Sequence, residues 1–144
     1  MIKYLVAFTC LLFTTIACTE QPVEIVSVQG AYAYPTSKLQ KNGAVFMTIK
    51  NNSGQDMKIT SAVGDIAERI ELHTHIIKDD IMMMREVDGY EIPANDEIIL
   101  EPTGKHIMLM GLQNPLVDGQ TFPLNIKTHN GTDIPVIVTI GAGG

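Results

Sequence analysis

Beyond Val23 the apolar residues of this chain come in short runs, each cut off by Gly, Pro, Asn or Asp before a helical period can establish itself. The interruptions are Asn51-Asn52-Ser53-Gly54, Lys78-Asp79-Asp80, Asp88-Gly89, Pro102-Thr103-Gly104, Asn114-Pro115, Asp118-Gly119 and Asn130-Gly131. Between them the text predicts strands over 23–34, 43–50, 57–63, 69–77, 81–87, 97–101, 106–111, 122–128 and 134–140. Several alternate, as in Val45, Met47 and Ile49 against Phe46, Thr48 and Lys50, which suits a strand with one buried face. Nine short strands with turn residues between them predict a single all-β domain, a sandwich or Greek-key barrel.

The chain has 144 residues, is 45% hydrophobic and 18% charged, and carries a net charge of −6. That hydrophobic share excludes intrinsic disorder, and the acidic balance excludes nucleic acid as a partner. Residues 1–17 read as a signal peptide: Met1-Ile2-Lys3 supplies a positive start and Tyr4 to Ala17 an apolar stretch too short to span a membrane comfortably. Thr15-Ile16-Ala17-Cys18 resembles a lipobox, with Thr15 where Leu is usual. It predicts a lipid on Cys18 in preference to plain secretion. Any membrane contact would run through that lipid. Residues 18–22 follow as a tether, and 23–144 as the folded domain. Cys10 and Cys18 are the two cysteines, so the domain holds no thiol for a disulfide, a zinc cluster, a blue-copper site or nucleophilic catalysis.

Methionine and histidine are distributed unevenly. Five of the 8 Met and three of the 4 His lie between His73 and Met110. If Lys78-Asp79 makes a two-residue turn, His73 stands opposite Met84 and His75 opposite Met82. A three-residue turn would instead send Met84 to the other face. His106, Met108 and Met110 share a face of a later strand. Two His/Met pairs brought together make an N₂S₂ site, and soft thioether with neutral imidazole suits Cu(I). The competing reading is packing: Met is a common core filler, and Ile81-Met82-Met83-Met84 reads equally as a buried strand. Met82, Met83 and Met110 are expected in the core or beside the site, His129 in a solvated turn. His75 is open between a ligand, a supporting group and a surface residue. Asp79-Asp80 is a turn rather than an acid/base pair, and no nucleophile triad has a local signature, so the chain reads as non-enzymatic.

The spacing His73, ten residues, Met84, twenty-one residues, His106, one residue, Met108 resembles the H-x10-M-x21-H-x-M pattern of the periplasmic copper chaperones called PCuAC. The surrounding segments are similar too: Ala44 to Asn51, Glu68 to His73, and His106 to Leu112. The resemblance implies a cupredoxin-like β-sandwich and Cu(I) ligation by His73, Met84, His106 and Met108 in a carrier of the periplasm, and the chain is expected to be a monomer. It also implies delivery toward the copper subunit of cytochrome c oxidase or a Sco-type protein. The same ligands would serve sequestration without a dedicated acceptor. The end Gly141-Ala142-Gly143-Gly144 lacks the His- and Met-rich tail of some family members, so no second copper site is expected.

Overall fold

The computed structural model describes residues 24–141, and the signal peptide, Cys18 and the whole tether lie outside them. Ten strands make up the described chain: β1 (Val26–Ala33), β2 (Asn42–Asn51), β3 (Met57–Val63), β4 (Ala67–Lys78), β5 (Ile81–Glu86), β6 (Tyr90–Ile92), β7 (Glu97–Leu100), β8 (His106–Leu112), β9 (Thr121–Thr128) and β10 (Asp133–Ile140). Nine answer to the segments expected from sequence. The tenth, β6, is three residues long and lies between Asp88-Gly89 and Pro93, too short for alternation to register.

Hydrogen bonding follows the order β5-β4-β8-β2-β1-β10-β9-β3-β6, with β7 also on β2. Neighbours such as β4 and β8, or β1 and β10, are distant in sequence, as in Greek-key connectivity. The path doubles over into a cupredoxin-like sandwich because β1 serves both layers. Its first half runs antiparallel to β2, and Tyr32 and Ala33 then also pair in parallel with Thr139 and Ile140 of β10. A register shift between Gln29 and Tyr32 turns the strand, and Gly30 at φ 60° supplies the left-handed residue that such a bend uses.

Between the layers lie Val45, Leu72, Ile107 and Leu109 from one side and Ile59, Ile92, Leu124, Ile126 and Val138 from the other. One buried polar side chain organises a whole loop region. Asn51 is fully buried (0% exposed). Its amide donates toward the carbonyls of Gln55, Ile92 and Pro93 at 2.7, 3.2 and 3.1 Å, and its Oδ1 accepts from the Ser53 amide at 3.0 Å.

Asn51→Ala would strip partners from several of these groups at once, and an unmet buried hydrogen-bonding group costs about 1–3 kcal/mol. Chemical denaturation should show a stability loss of about 2–4 kcal/mol. A loss below about 0.5 kcal/mol, ordinary for a surface substitution, would contradict this role.

Candidate metal centre

Strict alternation along β4 and β8 creates the site. Leu72, Ile107 and Leu109 face the core, so their neighbours His73, His106 and Met108 share the opposite face. Directly opposed residues of antiparallel strands share a face, and the β4–β8 register sets His73 against His106, Glu71 against Met108 and Arg69 against Met110. On the far side of β4, β5 sets Met84 against His75 and Glu86 against His73.

This last register corrects the one expected from sequence. Met84 stands opposite His75, not His73, and Met82 opposite Ile77, because the turn is Asp79-Asp80 and not Lys78-Asp79. Asp79 and Asp80 take φ of 52° and 61°, the paired left-handed residues of the hairpin turn whose twist matches the strands. Asp enters that region more readily than Lys because its short side chain bonds to nearby backbone. The slip moves the pairing by an even step. Met82 and Met84 therefore stay on the face of His73 and His75.

Burial corrects a second expectation. Strand β5 is an exposed edge strand, not a buried one, and Met82 stands in solvent along with Ile77 and Ile81. Met84 is 51% exposed. Met83 and Met110 are half-buried, and Met110 Sδ accepts from Arg69 Nη2 at 3.5 Å. His129 is exposed in its turn, where its Nδ1 accepts from the Lys58 amide at 3.2 Å.

Three imidazoles meet at the outer face. The centroid of His106 is 5.8 Å from that of His73 and 5.2 Å from that of His75. Nδ1–H of His106 and of His75 each donate to the Gly104 carbonyl at 3.1 Å, which leaves the lone pair of each neutral ring on Nε2. His73 is wired the other way. Its Nε2–H donates to Glu71 Oε2 at 2.9 Å, and its Nδ1 is buried without any partner. An orphaned acceptor is uncommon in a folded protein, and it fits a nitrogen kept for a metal. Glu71 in turn lies 3.5 Å from Arg69.

His106 is 2% exposed although it faces outward, because Phe46 lies 6.4 Å from it and Tyr32 and Tyr34 pack on Phe46. Burial pushes its pKa below the usual histidine value, with a partial opposing effect from the Gly104 carbonyl and a further lowering by His75 and His73. The neutral, ligating form is thus favoured. Beneath the site, the buried Tyr90 hydroxyl is 2.7 Å from the carbonyls of both His73 and His106, and burial pushes its pKa up to about 12, keeping it a donor.

Among the described residues no three His, Asp or Glu side chains converge as a cation cage. The thioethers of Met84 and Met108 share the face of the histidines, and thioether with imidazole suits a soft, monovalent metal better than Ca²⁺ or Mg²⁺. A surface depression of about 760 Å³ lies apart from this chemistry, among Val63, Phe122, Leu124 and Pro135. Glu71, His75 and Tyr90 are the neighbours that sequence reasoning missed or left open. Glu71 lies two residues before His73 on the same face, a signal that was legible, whereas the approach of Tyr90 from the other layer was not.

The family model described as "Putative lipoprotein LpqE-like" matches residues 26–140. The curated "Putative lipoprotein Lxx21020" of Leifsonia xyli is 34% identical over 98 residues, which are 67% of this chain, and the chain spans 59% of that relative's length. Among solved structures, the copper-bound PCuAC domain from PmoF2 superposes with a TM-score of 0.70 at 10% identity, covering 85% of this chain and 97% of that one. At that identity the likeness is one of fold. The Cu(I) form of DR1885 from Deinococcus radiodurans is 29% identical with a TM-score of 0.62, covering 87% of this chain and 82% of its own.

The lowered pKa of His106 has a consequence for the metal-free protein. The unfolded chain takes up the proton near the ordinary value of about 6.5, the folded chain only at lower pH. Stability is therefore full above about pH 6.5 and declines as pH falls below it toward the folded-state value. Denaturant unfolding between neutral and mildly acidic pH should show this decline, and His106→Gln should reduce it. Identical pH slopes for the two proteins would refute the assignment to His106.

Proposed function

The chain belongs to the LpqE-like family, and on that premise we propose that it is an extracytoplasmic Cu(I)-binding metallochaperone. Copper is its cargo. The ligands in this reading are His73 through Nδ1, His106 through Nε2, and the thioethers of Met84 and Met108. The observation that carries it is the orphaned Nδ1 of His73, opposite a buried His106 on a sheet face that also bears both thioethers. The Cu(I) form of the Deinococcus radiodurans protein, at 29% identity, supports the choice of metal.

The ligands differ in accessibility, which suits a carrier. His106 sits in the aromatic surround, whereas Met84 lies on the exposed edge strand. An acceptor approaching the edge displaces the outlying thioether first and the buried imidazole last, so the metal passes by stepwise exchange and is never fully released to solvent. Thioethers carry no charge or proton, which keeps that first step shallow. Four protein donors leave no open position for substrate, hence the non-enzymatic reading. The acceptor in this proposal is a copper protein of the same compartment, the copper subunit of cytochrome c oxidase or a Sco-type protein. The family's lipoprotein description supports a Cys18-anchored form at the periplasmic membrane surface.

Cu(I) titration of the chain beginning at Thr19 against a chromophoric chelator should give one tight site per molecule. His106→Ala/Met108→Ala should weaken it by more than about 100-fold, beyond the range for a supporting residue. Binding indifferent to both changes would overturn the ligand set. Transfer of the bound copper to an apo acceptor separates chaperoning from sequestration, for which the metal would stay in place.

Glu71→Gln should lower the affinity by about 10- to 100-fold, because the carboxylate that orients His73 is replaced by a weaker acceptor. Unchanged affinity would show that His73 needs no such support.

A further inference from the structure

Tyr90 belongs to β6, at the opposite end of the hydrogen-bonded path from β4 and β5, yet its side chain ends at the metal centre's backbone. Its hydroxyl lies 2.7 Å from the carbonyl oxygen of His73 and 2.7 Å from that of His106. These two residues close the β4–β8 ladder. Beyond them β4 continues as an arm paired with β5 alone. The hydroxyl thus spans the two strands at the point where their own hydrogen bonding stops.

One proton shared between two facing carbonyls draws both toward the same point. The seat that delivers it is built tightly. Tyr90 is 2% exposed and pairs with Ile59, and a Cβ at the preceding Gly89 would stand 2.4 Å from the Ile59 carbonyl oxygen. Only glycine lets β6 approach β3 this closely.

We propose that Tyr90 is a positioning residue for the metal centre, tying the backbones of His73 and His106 so that their imidazoles are held at their separation before the metal arrives. The proposal rests on reading those two histidines as ligands. Pre-set ligand spacing raises affinity because less ordering remains to be done on binding. Without the tie, the β4–β5 arm carries His73 as it flexes, while β8 holds His106 against Phe46.

The test compares exported wild-type protein with Tyr90→Phe, which keeps the ring and loses the hydroxyl, and with Ile126→Val, which thins the same core elsewhere. In the metal-free state, imidazole ¹H–¹⁵N spectra of Tyr90→Phe should show broadened or doubled signals for His73 and His106, with His129 unchanged. Its Cu(I) affinity should fall about 10-fold, with Ile126→Val within about twofold of wild type. Wild-type imidazole spectra together with affinity within about twofold in Tyr90→Phe would overturn the proposal. So would equal losses in both variants, since that is the mark of general loosening.

Should Tyr90→Phe not fold, the wild-type hydroxyl proton decides. It should exchange slowly and show contacts to the α-protons of His73 and His106 with and without copper, and its absence overturns the tie. Wild-type protein that fails to bind Cu(I) would remove the functional reading, while the metal-free spectra would still report on the tie itself.

Discussion

The pairing of β4 with β8 in the register that opposes His73 to His106 is the constraint from which the rest follows. It is held from the core side by Leu72, Ile107 and Leu109, which sit at successive alternating positions and are almost fully buried. Any slip by one residue would turn these apolar side chains to solvent and the imidazoles inward. Burial of the core and presentation of the site are therefore one energetic decision. Hydrophobic burial of roughly 1.5–3 kcal/mol per large aliphatic side chain far outweighs what the exposed hairpin contributes to register.

The site is polar chemistry placed on the outside of a sheet and then partly covered. Phe46, Tyr32 and Tyr34 supply the cover on one flank, the β4–β5 arm leaves the other flank open, and the Gly104 carbonyl orders two imidazoles at once. The gradient from buried His106 to exposed Met84 belongs to the same arrangement. In the proposed copper site it combines a ligand that water reaches poorly with one that a partner reaches easily, which suits the proposed role of a carrier whose metal has to leave as well as arrive.

Most strands were legible because apolar alternation and turn residues report the local balance between burial and chain reversal. Strand β6 was not, being three residues long and defined by its partner β3 and by the close approach at Gly89. The hairpin turn was misplaced by one residue because Lys78-Asp79 and Asp79-Asp80 look alike as polar breakers. Only their φ angles separate them. Even so, the two-residue periodicity kept Met84 on the expected face. Met82 was expected in the core or beside the site because Met is a common filler, but it lies near the tip of the exposed β4–β5 hairpin, opposite the exposed Ile77.

The sequence by itself determined the all-β class, the lack of cysteine beyond Cys18 and the spacing of the histidines and methionines, since composition and spacing express these directly. The tertiary structure decided which imidazole nitrogen is free, which histidine is buried and how a tyrosine from the far layer reaches the centre. Those properties depend on Glu71, Gly104, Phe46 and Tyr90 arriving within hydrogen-bond or ring-packing distance of the histidines. For Phe46 that proximity comes from pairing between strands far apart in the chain, and for Tyr90 from a strand at the other end of the sheet path, and no local pattern of residues encodes either.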